Sequence, residues 1–157
     1  MLRRKDEAQS LEAIQKIGGR VYRDEAAEGK PVDQVNLGAT KAADADLEHL
    51  KAFPKLKKVM LNGTGTTDAG LATVGGLASV EKLYLVDCKI SDAGLEKLKG
   101  LGSLQVLSLV GTPVTDAGLD HVKAIGSLKQ LFLSGTKVTD DGVKKLQEEK
   151  KDLKIER

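Results

Sequence analysis

The chain has 157 residues and a formal net charge of +2, from 25 Lys and Arg against 23 Asp and Glu. This length is typical of one domain, and the near balance of charge argues against nucleic acid or an anionic membrane as the main partner. A single cysteine excludes an internal disulfide, and no apolar run approaches the ~20 residues of a membrane-spanning helix.

The first 31 residues are predicted to form an N-terminal cap. Leu11, Ile14 and Ile17 recur every three residues, as on the apolar face of a helix. We therefore expect a helix over residues 6–17 that covers the open end of whatever follows it.

The flanks of this helix are less regular. Residues 1–5 are expected to fray, and no apolar stretch follows the basic residues near the start. This pattern predicts no signal peptide and favours a cytoplasmic location. The glycines at 18–19 are expected to end the helix, and residues 20–23 are a possible strand.

Residues 32–152 repeat themselves with a period of 24 residues, five times in succession. The leucine column consists of Leu37, Leu61, Leu85, Leu109 and Leu133. The glycine column consists of Gly70, Gly94, Gly118 and Gly142. Such a period indicates stacked units, each too small to bury its own apolar face.

Each repeat contains two periodicities. Residues 104–109 alternate apolar and polar side chains, which predicts a short strand. Leu119, Val122 and Ile125 recur every three residues, which predicts one apolar helix face. Strand and helix units stacked in parallel would build a curved solenoid with a continuous core. After the last repeat, residues 153–157 are expected to add a closing strand.

One aspartate per repeat follows the predicted strand, and a Thr or Ser precedes it in the last four repeats. These aspartates are Asp44, Asp68, Asp92, Asp116 and Asp140. Helix capping by the hydroxyl and the carboxylate explains each position. A calcium-binding ridge is the alternative, since carboxylates bind hard cations. We expect capping and no metal.

The segment that begins at Leu104, LQVLSLVGTPVTDAGL, shows the pattern LxxLxLxxT followed by a (V/I)(S/T)DAGL helix start. It resembles the leucine-rich repeat superfamily, in particular the 24-to-26-residue subtype of bacterial and F-box-associated proteins. The resemblance covers Val32 to about Lys151. It implies an α/β fold: a right-handed solenoid in a horseshoe arc, with a parallel concave sheet, convex helices and an N-terminal helical cap.

Because the leucines of each strand point into the core, the residues between them are expected on the concave face. Two of the four aromatic residues, Tyr84 and Phe132, are thus expected outside the core, on this face. The predicted partner-binding residues are Asn36, Lys58, Met60, Lys82, Tyr84, Val86, Val106, Ser108, Val110, Gln130 and Phe132. The alternative is an ordinary surface with scattered apolar side chains.

Residues capable of catalysis do not cluster. Cys88 occupies a column otherwise held by Thr and is expected to be buried and inert. His49 and His121 occupy equivalent positions three repeats apart, about 15 Å at ~4.8 Å per strand, and are expected on the solvated convex face. No catalytic residue and no cofactor is therefore predicted.

The sequence thus predicts a non-enzymatic module that binds a protein or peptide on its concave face, with lysines that steer an acidic partner. No nucleic acid and no membrane is expected as a partner, and the chain is expected to be a monomer or a weak homo-oligomer. Two alternatives stay open: a structural, self-associating repeat domain, and a fragment of a substrate-recruiting, F-box-like adaptor.

Overall fold

A computed structural model describes residues 2–157 and arranges seven strands in one sheet, side by side in chain order. The elements are α1 (Leu2–Lys16), β1 (Arg20–Arg23), β2 (Val32–Asn36), a first 3-10 helix (Asp44–Ala52), β3 (Lys58–Met60), α2 (Asp68–Val74), β4 (Lys82–Tyr84), α3 (Asp92–Leu95), a second 3-10 helix (Glu96–Leu98), β5 (Val106–Ser108), α4 (Asp116–Lys123), β6 (Gln130–Phe132), α5 (Asp140–Glu149) and β7 (Lys154–Glu156). Among the helices of residues 2–157, none combines the length and apolarity that crossing a bilayer requires.

The strands from β2 to β7 pair in parallel, and each residue pairs with its equivalent 24 positions later: Val59 with Leu83, and Leu83 with Leu107. The sequence period is therefore the period of the solenoid. One side of the sheet carries the buried leucines and the helices, and Leu61, Leu83 and Leu85 are fully buried there. The predicted α/β solenoid with a parallel sheet is confirmed.

The N-terminal segment differs in extent from its prediction. Helix α1 begins at Leu2, not at residue 6, and ends at Lys16. Leu, Arg and Lys have high helix propensities, so the helix continues through the basic segment. The expected fraying of residues 1–5 is not seen in the backbone of residues 2–5, and residue 1 lies outside the described residues. Ile14 is fully buried and anchors α1 to the core.

The helical half of the repeat is less uniform than the strand. The first repeat forms a 3-10 helix instead of an α-helix, and the third passes from α3 into a 3-10 helix after four residues. In the first repeat the cap position holds Ala43, whose backbone N–H is bound by the Asp46 carboxylate at 2.8 Å. Without a Thr hydroxyl, this helix start is stabilised from one side only.

The aspartate column links neighbouring repeats. Asp92 accepts the backbone N–H of Thr115 at 2.8 Å through Oδ1 and the Thr115 hydroxyl at 2.5 Å through Oδ2. The same pair of bonds joins Asp44 to Thr67, Asp68 to Ser91 and Asp116 to Thr139.

The prediction that each carboxylate caps its own helix is therefore wrong. The hydroxyl caps its own helix at three of the four positions, as where Thr115 Oγ1 accepts the Ala117 N–H at 3.3 Å, whereas Ser91 makes no such bond. The carboxylate holds the residue that starts the next helix, because stacking brings that residue's N–H within reach. Within the described part of the chain, no group of three or more His, Cys, Asp or Glu side chains is placed to hold a metal ion.

The glycine column makes room for these carboxylates. A Cβ placed on Gly94 would lie 2.2 Å from Asp68 Oδ1, and one on Gly142 would lie 2.1 Å from Asp116 Oδ1. In the first repeat no aspartate of a preceding repeat approaches, and the equivalent position holds Asp46. A glycine therefore occupies this position in the repeats where the carboxylate of the preceding repeat lies beside it.

Candidate functional site

The solvent side of the sheet carries two columns of side chains in strand register. The central column runs through Asn36, Met60, Tyr84, Ser108 and Phe132. The flanking column runs through Gln34, Lys58, Lys82, Val106 and Gln130. Val86 and Val110 lie two residues beyond the ends of β4 and β5. All eleven predicted residues therefore lie on or beside one face, which we call the concave face.

The apolar side chains of this face are partly buried by their neighbours. Met60, Tyr84 and Phe132 are half-buried, and Ser108 is only 4% exposed. A small Ser between two aromatic side chains on adjacent strands does not reach solvent. The face is therefore a shallow mixed surface, not a broad apolar patch.

Two further strands extend the concave face. Arg20 pairs with Asn36 and Tyr22 with Gln34, so both side chains of β1 join the two columns. Tyr22 is 43% exposed and is the most exposed large hydrophobic side chain in the described structure. At the other end, Lys154 pairs with Gln130 and Glu156 with Phe132.

The set of site residues predicted from the sequence does not include these four. The signal was present for β1, since Arg20, Val21 and Tyr22 alternate polar, apolar and aromatic side chains in the possible strand. Val21 packs against the core, and alternation then turns its two neighbours outwards. Alternation predicts which side chains of a strand share a face, but it does not predict which strand lies next to it. The pairing of β1 with β2 was therefore not predictable from this pattern.

Tyr84 has a cation above its ring. The Nζ of Lys58 lies 5.5 Å from the ring centroid, within the range of a cation–π interaction. The ammonium of Lys58 is thereby placed beside the central column.

Charge is distributed unevenly along the concave face. Glu156 near the C-terminal end pairs with Lys154 at 3.0 Å and accepts a hydrogen bond from Gln130 at 3.3 Å. The bond from Lys154 is the main reason that the pKa of Glu156 lies below its usual range. Arg20, Lys58 and Lys82 form no salt bridge with any residue of the described structure. The half of the face near the N-terminus therefore carries cations without a salt bridge, and Asp33 and Glu81 line a cavity together with Lys58 and Lys82.

Cys88 is buried, as predicted, and burial raises the pKa of its thiol. The thiol donates to the carbonyl of Leu61 in the preceding repeat, at 3.0 Å. The equivalent hydroxyl of Thr112 bonds to Leu109 within its own repeat, at 2.7 Å. A protonated, hydrogen-bonded thiol of this kind has a structural role.

The two histidines are half-buried instead of fully solvated. His49 Nδ1 lies 3.4 Å from the Ser10 hydroxyl of α1, so it takes part in docking the N-terminal helix. This contact arises from a residue 39 positions away and has no local sequence signal.

Comparison with known proteins agrees with this architecture. The leucine-rich repeat family model matches residues 76–99 and 127–146. This match and the solved structures below support the leucine-rich repeat superfamily, whereas the 24-residue subtype stays a prediction. No curated protein matches the chain.

Two solved structures share the fold. A chain of the PEPR1–AtPEP1 crystal structure has a TM-score of 0.52 at 15% identity, over 83% of this chain and 18% of that chain. The leucine-rich repeat ectodomain of the plant membrane receptor kinase GASSHO1/SCHENGEN3 from Arabidopsis thaliana, solved with CASPARIAN STRIP INTEGRITY FACTOR 2, has a TM-score of 0.54 at 15% identity, over 87% and 19%. This chain therefore spans less than a fifth of either chain, and the similarity shows the fold alone.

Proposed function

We propose that this protein is a non-enzymatic interaction module whose concave face binds a protein or peptide. The observation that carries the proposal is the placement of the aromatic residues. Three of the four, Tyr22, Tyr84 and Phe132, lie on the concave face, and only Phe53 belongs to the buried core. Aromatic side chains are enriched at interfaces, where they supply contact area at low entropy cost.

The contacts would divide by type. Met60, Tyr84 and Phe132 would supply apolar area at the centre, and Val86, Val106 and Val110 would extend it. Asn36 and Gln130 would supply hydrogen bonds at the two ends. Ser108 is too buried to contact a partner directly, so we leave it out of the proposed contact set.

The partner would be acidic. Lys58 and Lys82 stand side by side on adjacent strands and form no salt bridge in the described structure, although Asp33 and Glu81 line the same cavity as both lysines. Unpaired cations of this kind accelerate encounter with a negatively charged partner and disfavour a positive one. The GASSHO1/SCHENGEN3 ectodomain, which shares the fold, was solved in complex with CASPARIAN STRIP INTEGRITY FACTOR 2, and this is consistent with a binding role.

The same charge weighs against one mode of self-association through this face. Two copies placed face to face with their N-terminal ends together would bring Arg20, Lys58 and Lys82 of one against the same residues of the other. Like charges in a shared interface are destabilising. In the adaptor alternative, the concave face would bind the substrate and a recruiting domain would be encoded outside these 157 residues.

Affinity capture from host lysate tests the proposal, with the wild type, Tyr84→Ala/Phe132→Ala and a convex control, Asp120→Ala/Lys145→Ala. A protein held by the wild type and the control is identified by mass spectrometry, purified and titrated. We expect the aromatic double variant to raise its Kd at least tenfold, about the effect of one lost hot spot. Unchanged affinity in that variant, with loss in the control, would place the site on the helices.

A further inference from the structure

A cavity of about 470 Å³ opens at the N-terminal end of the concave face. It lies between the end of α1, the start of β1 and the turn that follows β2. Left-handed backbone at Gly18 (φ 89°) and Ala39 (φ 57°) shapes two of its walls. Its volume falls in the range of ~300–1,000 Å³ that is usual for ligand clefts.

The lining of this cavity donates hydrogen bonds and carries only positive charge. Arg20 and Lys41 line it, and no Asp or Glu does. Asn36 also lines it and uses its Oδ1 to accept the Gly38 N–H at 2.8 Å, which leaves the amide NH₂ as a donor. By contrast, the cavity between α4 and α5 is lined by Asp116, Asp120, Asp141 and Glu149 together with two lysines.

The positive charge is not neutralised from nearby. Arg23, the other arginine of β1, pairs with Glu7 at 2.9 Å, whereas neither Arg20 nor Lys41 forms a salt bridge with any residue of the described structure. The aspartates that follow Lys41 do not line the cavity, and their carboxylates bind other groups. Asp44 binds Thr67, and Asp46 binds the Ala43 N–H.

We propose that this cavity binds an acidic side chain of the protein partner. The proposal rests on the proposed function, because the cavity shares Asn36 with the concave face. A partner that crosses the central column from Phe132 towards Asn36 arrives at this cavity. An acidic side chain there would meet the Arg20 guanidinium, the Lys41 ammonium and the Asn36 amide, a set of donors that suits a carboxylate.

The repeat supplies a matched control for Lys41. Lys89 and Lys137 stand at the equivalent position of the third and fifth repeats but do not line the cavity. Arg20→Gln/Lys41→Gln and Lys89→Gln/Lys137→Gln therefore remove the same total charge from the protein. Only the first removes it from the cavity.

The test is an NMR titration of the full ¹⁵N-labelled chain at constant ionic strength. The probes are a tetraglutamate peptide with both ends blocked, the matching tetraglutamine peptide, and inorganic phosphate. We expect tetraglutamate to shift the amides of Gly18, Arg20 and Lys41 saturably, and tetraglutamine not to. Arg20→Gln/Lys41→Gln should raise the Kd about threefold to tenfold, the effect of two exposed ion pairs, and the control should change it less than twofold.

Three results would overturn the inference: no saturable shift at these amides, an equal change of Kd in both double variants, or phosphate bound here as tightly as tetraglutamate. The last result would assign the cavity to a small free anion. Amide spectra of the variants show whether the fold is intact. The outcome is separable from that of the proposed function, since the titration needs no natural partner and leaves Tyr84 and Phe132 unchanged.

Discussion

At the scale of single residues, the aspartate and glycine columns of this chain are paired: the aspartate of one repeat lies beside the glycine of the next. The Asp68 carboxylate reaches the Ser91 backbone N–H at 2.8 Å and occupies the space beside Gly94. A side chain in the glycine column would therefore displace a carboxylate that is already bonded. This explains why the first repeat, with no such carboxylate before it, tolerates Asp46 at the same position.

Gly94→Ala tests this pairing. The new Cβ would lie 2.2 Å from Asp68 Oδ1, so we expect a loss of about 1–3 kcal/mol in the free energy of unfolding. This is the opposite of the gain of up to ~1 kcal/mol that Ala brings to an open helix site. Urea unfolding followed by circular dichroism measures the difference.

The control for this variant is Gly102→Ala, because no atom lies within 4 Å of a Cβ built there. We expect that change to stay within about 0.5 kcal/mol. Equal effects of the two substitutions would show that the carboxylate moves aside at no cost.

At the scale of elements, each helix start depends on the repeat before it. Thr139 caps α5 by accepting the Gly142 N–H at 3.1 Å, and Asp116 holds Thr139 in place from the start of α4. In the fifth repeat the equivalent carboxylate, Asp140, pairs with Arg157. The junctions are therefore a series of equivalent contacts between neighbouring repeats.

The junction at Asp116 should depend on pH. The bond from the Thr139 hydroxyl, and then that from its N–H, lower the pKa of Asp116. A carboxyl whose pKa falls on folding contributes stability above its unfolded value, ~3.9, and loses that contribution as the pH falls through its folded value. Asp116→Asn should therefore lower the urea midpoint at about pH 6, and the deficit should shrink towards about pH 2.5.

Asp120→Asn is the control for this titration, since Asp120 lies on the same helix and makes no hydrogen bond in the described structure. Its urea midpoint should follow that of the wild type across the pH range. A deficit of Asp116→Asn that stays constant from about pH 6 to 2.5 would contradict the role of the ionised carboxylate.

At the scale of the whole molecule, the solenoid brings each repeat against its immediate neighbours. Helices and strands pack in sequence order, α2 against α3 and α3 against α4. The free energy of unfolding is then a sum of repeat and neighbour-interface contributions. Function follows the same geometry, because a row of in-register side chains becomes one extended face.

This organisation predicts which substitutions act independently. Gly94→Ala and Gly142→Ala disturb separate carboxylates, Asp68 and Asp116, in junctions two repeats apart. Their losses of unfolding free energy should add to within about 0.5 kcal/mol. Gly94→Ala and Asp68→Ala act on one contact, so the double variant should lose clearly less than the sum. Urea unfolding of both double-mutant cycles measures this, and strong coupling between the distant pair would contradict the nearest-neighbour description.

The sequence by itself determined the architecture. The 24-residue period, the alternation around Leu107 and the helical spacing from Leu119 are local signals, and repetition multiplies each of them five times. The burial of the leucine column and of Cys88 followed from the same register, as did the outward placement of Tyr84 and Phe132.

Only the tertiary structure decided how residues far apart in the chain meet. It placed Arg20 and Tyr22 on the concave face through pairing with β2, buried Ser108 between its neighbours, and gave the aspartates their partners in the next repeat. It also joined Arg20 to Lys41 around one cavity. These features depend on contacts between segments that are far apart in the chain, and each contact is set by how one unit stacks on another.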